Sequence, residues 1–255
     1  MQARGDGPPA GEVAVVIPAK DESERIRDTV TAASGLPDVS LVLVVDDGSR
    51  DGTSRAAELA GATVMRHGRT RGKAAAMETG AEAVRLLDQR DGRDHPRHLL
   101  FLDADLGSSA SFAGPLTQPV IAGRADMTIA AFSSTVKLGG RGMVVGLSGA
   151  GIRRAIGWAP AQPLNGQRCL TRAAFEAARP LAPGWGAETG MTIDLLRMGL
   201  RVTEVEVPMA HRATGGDWRA QLHRARQFAG VAWALAAREP SLQKARQARR
   251  RSRAG

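Results

Sequence analysis

Leu41-Val42-Leu43-Val44-Val45-Asp46-Asp47-Gly48-Ser49-Arg50-Asp51-Gly52-Thr53 passes from an unbroken apolar run to an acidic, glycine-containing turn. A valine-rich run with no polar face must be covered on both sides, which is the situation of a parallel strand between two layers of helices. Asp51 then stands as a cap for a helix that opens at Thr53-Ser54-Arg55-Ala56-Ala57. The same unit recurs on either side. Val13-Ala14-Val15-Val16-Ile17 runs into Pro18 and a helix-compatible stretch from Glu22. Residues 62–65 read as a strand, 72–88 as a helix, and Leu99-Leu100-Phe101-Leu102 as a strand leading into Asp103.

Further along, 127–131 reads as a strand, 143–156 and 187–198 as helices, and 217–237 as a long terminal helix. Glu204 and Glu206 alternate with valines over 202–207, which predicts a more exposed or antiparallel strand beside the main sheet. The expected class is α/β, with a mostly parallel central sheet flanked by helices and ligands at the strand C-terminal ends.

Composition sets bounds on this reading. The chain has 255 residues, 43% of them hydrophobic and only 4% aromatic, with 35 Lys plus Arg against 26 Asp plus Glu and a net charge of +9. One domain over 1–238 fits that length, followed by a basic, flexible tail over 239–255. Positive charge suits phosphorylated metabolites, nucleic acid or an anionic membrane surface. So few aromatics give no stacking platform, and there is no helix-turn-helix or zinc-finger spacing, so specific nucleic-acid binding is not expected. The single cysteine, Cys169, excludes an intrachain disulfide and reads as a buried apolar thiol. A signal-peptide core and an apolar run of about 18 residues are both missing, which predicts a cytoplasmic protein. Peripheral contact with an anionic membrane and a homodimer both remain compatible with the pattern.

The chemistry concentrates at the predicted strand ends. Asp103 and Asp105 supply hard oxygen ligands for Mg²⁺ or Mn²⁺, whose shell phosphate oxygens and water complete. Such an ion stabilises a diphosphate leaving group as it gains charge. Asp46 and Asp47 can form a turn and can also accept hydrogen bonds from a nucleobase or ribose, and both readings can hold together. Arg71-Gly72-Lys73 opens a helix, where backbone donors and Lys73 can address phosphate. It is not a Walker loop, because His67 and Ala74 replace the glycine and the hydroxyl that such a loop needs.

Taken in order, Val15-Val16-Ile17-Pro18-Ala19-Lys20-Asp21-Glu22, Val45-Asp46-Asp47-Gly48-Ser49-Arg50-Asp51-Gly52-Thr53, Arg71-Gly72-Lys73 and Asp103-Ala104-Asp105 resemble the family 2 nucleotide-sugar glycosyltransferases of GT-A fold. The resemblance covers roughly 12–235. It implies that Pro18, Asp21 and Glu22 border the nucleotide pocket, that Asp46 or Asp47 contacts base or ribose, and that Lys73, Asp103 and Ala104 hold the sugar nucleotide. It further implies that Asp105 binds the metal beside Asp103.

A second set of motifs is similar to the glucosyl-3-phosphoglycerate synthases: Gly139-Gly140-Arg141, Gln162-Pro163-Leu164-Asn165-Gly166-Gln167, Gly184-Trp185-Gly186-Ala187-Glu188-Thr189-Gly190 and Ala210-His211-Arg212. Asn165 and Gln167 stand where that group has Ala and Glu. The likeness implies an acceptor region of Arg141, Asn165, Gly166 and Arg212, and His211 as a further metal ligand. Glu188 is then a catalytic carboxylate, acting as acceptor base or as a sugar or acceptor contact.

The expected activity is metal-dependent transfer of a hexose from a UDP- or GDP-sugar to a small phosphorylated acceptor, with 3-phosphoglycerate the leading candidate. Transfer to polyprenyl phosphate, sugar-phosphate nucleotidyl transfer, and nucleotide-sugar binding without turnover are the rivals.

Overall fold

The computed structural model describes residues 13–132, 142–158, 160–209 and 229–238. Seven strands form one sheet in the order β3-β2-β1-β4-β6-β5-β7. They are β1 (Val13–Ala19), β2 (Val39–Asp46), β3 (Thr63–Arg66), β4 (His98–Phe101), β5 (Met127–Phe132), β6 (Arg168–Leu170) and β7 (Val202–Val207). The helices are α1 (Ile26–Ser34), α2 (Thr53–Leu59), α3 (Lys73–Arg90), α4 (Gly114–Ile121), α5 (Gly142–Ile156), α6 (Arg172–Ala178) and α7 (Ala187–Arg197). Residues 229–237 are helical as well.

The apolar runs are covered on both faces, as their composition requires. Val13, Val15 and Ile17 of β1 and Val42 and Val44 of β2 pack toward α1 and α4. Ala14 and Val16, with Leu43 and Val45, pack toward α3, α6 and α7. In α1 the buried positions Ile26, Thr29, Val30 and Ala33 form the one-sided stripe of an amphipathic helix.

The expected strands and helices between 13 and 207 are present, α4, α6 and β6 are not among those expected, and of the helix expected over 217–237 the part before 229 lies outside the described residues. The strand expected to be exposed or antiparallel, β7, is indeed a half-exposed edge strand, but it runs parallel to β5 over Met127↔Val202 to Phe132↔Val207. Its alternation comes from its place at the sheet edge, not from its direction. The reversed strand is β6, which pairs antiparallel with both β4 and β5 and carries no sequence signal of its own. Cys169, in its centre, is fully buried and unpaired.

Proline within the central strand β1 has a local explanation. The Val16 carbonyl accepts from Leu102 N on the β4 side. By strand alternation the missing N–H of Pro18 faces the same side, where β4 has already ended. No helix of the described residues is long and apolar enough to cross a membrane. The tail from 239 onward lies outside the described residues.

Close packing of α3 on the sheet depends on one small residue. A Cβ at Gly80 would lie 2.4 Å from Val16 Cγ1 and 3.1 Å from Val45 Cγ2, both on fully buried side chains. Overpacking of this kind costs about 1–3 kcal/mol, offset in part by the roughly 1 kcal/mol that Ala gains over Gly inside a helix. Gly80→Ala is therefore expected to melt several degrees lower, at about 2–4 °C per kcal/mol for a chain of this size. A melting temperature at or above that of the parent would show that the valines move aside without cost.

Candidate functional site

The C-terminal ends of β1, β2 and β4 gather on one edge of the sheet, and the reversed direction of β6 brings the turn before it to the same edge. The β1–α1 and β2–α2 turns are stitched together there. Asp21 N donates to Ser49 Oγ (2.9 Å), Arg50 N to Asp21 Oδ1 (2.8 Å), Glu22 N to Thr53 Oγ1 (2.9 Å) and Ser23 N to Asp51 Oδ2 (3.1 Å). Asp21 adopts a left-handed backbone, φ 55°, which aspartate tolerates better than most residues.

The adjacent aspartates serve the structure first. Asp46 is fully buried and accepts from Ser49 N (2.7 Å) and from the Ser54 hydroxyl. Burial acts to raise its pKa, but the hydrogen bonds from Ser49 and Ser54 outweigh it and hold the carboxyl below the ordinary range. Asp47 accepts from Arg71 N and Gly72 N, each at 2.8 Å, and from His67 Nδ1 at 2.7 Å. The backbone donors of Arg71 and Gly72, expected to address phosphate, thus point at Asp47. Their role is to fix the approach to α3, where Gly72 takes φ 95°.

Lys73 emerges from that anchored start into the middle of the site. Its Nζ lies 2.7 Å from Asp103 Oδ1 and 3.0 Å from Glu188 Oε1 at the N-terminus of α7. Burial pulls the ammonium down, yet the two carboxylates more than compensate, and its pKa is driven upward so that it stays charged. Gln167 Nε2 donates to the other oxygen of Asp103 at 2.7 Å. The Gln167 side-chain oxygen is buried beside this bond with no donor among the described residues.

Gly166 lies against the same cluster. A Cβ there would meet Lys73 Nζ at 2.6 Å and Asp103 Oδ1 at 2.7 Å, so any larger residue would displace the Lys73–Asp103 pair. Asn165, expected at the acceptor, instead has its amide spent locally, donating to Ala130 O (2.7 Å) and accepting from Gln167 N (3.0 Å). Ala104 is buried, and its carbonyl accepts from Thr29 Oγ1 (2.8 Å), which ties the turn after β4 to α1.

Asp105 differs from Asp103 in having no protein hydrogen-bond partner on its carboxylate among the described residues. It faces Glu22, whose pKa is raised by burial and then by the charges of Asp105, Asp51 and Asp103, with Arg25 opposing. Three carboxylates, Glu22, Asp103 and Asp105, therefore share one mouth. Such a set of hard oxygen donors is of the kind a dication would relieve of its repulsion. Among the described residues no group of three or more His, Cys, Asp or Glu forms a ready-made metal cage. Arg141, His211 and Arg212 lie outside the described residues.

Beside this mouth a cavity of about 720 Å³ is lined by Lys20, Asp21, Ser49, Arg50, Arg66 and Arg69, among others. Pro18, half-buried at the end of β1, leads into the same region. Sequence patterns alone assign no role to Gln167 or Arg168. Gln167 sits in a turn before a strand too short to show periodicity, and an arginine in a basic chain reads as surface.

The profile of Glycosyl transferase family 2 matches residues 14–144. The chain belongs to that family. It is 29% identical over 225 residues to glycosyltransferase AglJ of Haloferax volcanii, covering 82% of this chain and 67% of that one. It is 29% identical over 207 residues to glucosyl-3-phosphoglycerate synthase of Mycolicibacterium paratuberculosis, covering 74% of this chain and 61% of that protein. The chain thus spans about two thirds of the length of these relatives. The crystal structure of the Mycobacterium tuberculosis glucosyl-3-phosphoglycerate synthase, in complex with Mn²⁺, UDP-glucose and phosphoglyceric acid, superposes with a TM-score of 0.71 at 25% identity, over 89% of this chain and 79% of that one. This family 2 chain has the GT-A fold of that neighbour.

The stitched turns also govern acid stability. Burial acts to raise Asp51, but hydrogen bonds from Thr53 and Ser23 bring its pKa down from 3.8 to about 2. A carboxyl depressed on folding stabilises the fold above its unfolded pKa and loses that contribution as pH falls through its folded one. Asp51→Asn keeps an acceptor but removes the charge. The stability gap between parent and variant should be full above about pH 4 and shrink toward pH 2, read from urea denaturation at stepped pH. A gap that does not change with pH would contradict the charge-based origin.

Proposed function

We propose that this chain transfers a hexose from a nucleoside diphosphate sugar to a small phosphorylated acceptor, with 3-phosphoglycerate the leading acceptor and Mg²⁺ or Mn²⁺ the cofactor. The observation that carries this reading is the pairing of two unlike aspartates. Asp103 is locked by Lys73 and Gln167, whereas Asp105, two residues on, has no protein partner on its carboxylate among the described residues and faces Glu22. The neighbour crystallised with Mn²⁺, UDP-glucose and phosphoglyceric acid supports the same ligand classes for this chain.

In this reading Asp105 would hold the metal, and His211 would join it on the strength of its motif. The ion supplies charge stabilisation for the departing diphosphate. Lys73, kept charged by Asp103 and Glu188, presents an ammonium to the donor, and the cavity of Lys20, Arg50, Arg66 and Arg69 receives the nucleoside end. Gly166 lets its turn lie directly against Lys73 and Asp103, and the partly exposed Asp103 carboxylate is the group offered to the sugar. Glu188, 3% exposed and paired with Lys73, is assigned as the catalytic carboxylate. Arg141 and Arg212 are assigned to the acceptor phosphate.

The test is product analysis by mass spectrometry and proton NMR. UDP- and GDP-hexoses are incubated with Mg²⁺ or Mn²⁺, with and without 3-phosphoglycerate, and in parallel with vesicles carrying a polyprenyl phosphate. A glycosylated phosphoglycerate is the expected product. Activity confined to the vesicles would move the acceptor class to lipid phosphates, and pyrophosphate release from UTP or GTP with a sugar phosphate would indicate nucleotidyl transfer. Asp105→Asn is expected to lower turnover by about a hundredfold or more and to remove the metal dependence of UDP binding in calorimetry. Metal-dependent binding that survives this substitution would sink the assignment.

A further inference from the structure

Arg168 is the largest fully buried side chain of the described residues, and it carries a charge. Burial draws its pKa down to about 10, while the charges of Glu188 and Asp103 oppose the fall, so it remains a cation at neutral pH. Yet none of its hydrogen bonds among the described residues goes to a carboxylate. Nε and Nη2 donate to the Asn165 carbonyl at 3.2 and 2.6 Å, and Nη1 donates to the Glu188 carbonyl at 3.2 Å. Nη1 also lies 3.5 Å from Thr192 Oγ1, and the Thr192 hydroxyl itself donates to the Glu188 carbonyl at 2.9 Å. A buried guanidinium without an ion-pair partner is costly, and an apolar residue in this dry position would avoid that cost. Its geometry explains what it does there. One rigid fork grips the main chain on two sides of the site, which a flexible ammonium does not reproduce.

These contacts close a ring. Asn165 leads through Gly166 to Gln167, which donates to Asp103; Asp103 accepts from Lys73; Lys73 meets the Glu188 carboxylate; and the Glu188 carbonyl returns to Arg168 and so to Asn165. Within this ring Lys73 and Asp103 are partly exposed, whereas Arg168 is fully buried and touches neither of them through a hydrogen bond.

We infer that Arg168 is a positioning residue that sets the separation between the Asn165–Gln167 turn and the first turn of α7, and thereby places the Glu188 carboxylate. This rests on the role proposed above for Glu188, so the experiment separates the two claims. Hydrogen exchange with mass spectrometry on the full chain needs no activity. Arg168→Lys should speed amide exchange in 165–167 and 187–192 together and leave β1 and β2 as in the parent. Unchanged exchange in either segment overturns the inference.

Kinetics with UDP-glucose, Mn²⁺ and 3-phosphoglycerate form the second arm. Arg168→Lys should lower kcat about thirtyfold with the donor KM held within about threefold, and it should add less than about twofold in a Glu188→Gln background. Should Arg168→Lys fail to fold, Thr192→Val replaces it, with a kcat loss of about three- to tenfold that also vanishes beside Glu188→Gln. Losses that multiply in the double variant overturn the positioning role. Full activity of Glu188→Gln alone would instead remove the role of Glu188, and hydrogen exchange in the two segments then decides whether Arg168 sets their separation.

Discussion

A single ammonium ties the site together. Lys73 Nζ stands between Asp103 at the end of β4 and Glu188 at the start of α7, so three elements far apart in sequence meet on one charge. Charge-assisted hydrogen bonds of this kind contribute about 1.5–3 kcal/mol each, and a half-shielded setting keeps them from being screened as surface pairs are. Removing Lys73 would leave two carboxylates facing each other beside a third, Asp105. Much of the surrounding structure serves to deliver this ammonium. Asp47 spends its oxygens on the Arg71 and Gly72 amides and on His67, which fixes where α3 begins.

The reversed strand β6 is the second requirement. In an all-parallel sheet the chain enters each strand at the edge away from the ligands, and the turn 165–167 would lie on the far side. Running antiparallel between β4 and β5, β6 is entered from the ligand edge, which sets Gly166 and Gln167 against Asp103. Gln167 suits this place because an amide can donate to Asp103, whereas a carboxylate there would face it with like charge. Gln167 stands where the resemblance to the glucosyl-3-phosphoglycerate synthases would put Glu. It makes the inner end of the site less anionic by one charge.

Glu188 shows how the site balances charge at depth. It and Asp103 are offset by Lys73 and by the buried Arg168, leaving Asp105, with Glu22 only partly offset by Arg25, as the acids at the mouth. An excess of negative charge confined to the mouth is the arrangement that a dication bridging to a diphosphate would use. The cationic cavity alongside offers the complementary surface for the rest of a nucleotide.

The sequence alone determined the parallel α/β class. Uninterrupted apolar runs at Val13–Ile17, Leu41–Val45 and Leu99–Leu102 leave no polar face to put in water, and the acidic turns after them mark the ligand edge. It also marked Asp103, Asp105, Lys73 and Glu188 as candidates, because each stands at an element boundary. Tertiary structure decided which acid does what. Asp46, Asp47, Asp103 and Asp105 are equivalent as letters, and only their partners separate the turn-builders Asp46 and Asp47 from Asp103, held by Lys73 and Gln167, and from Asp105, which has no protein hydrogen bond on its carboxylate among the described residues. It alone decided the direction of β6, since three residues are too few to show a period, and it alone revealed Arg168, whose burial is set by contacts with Asn165 and Glu188 that no local pattern encodes.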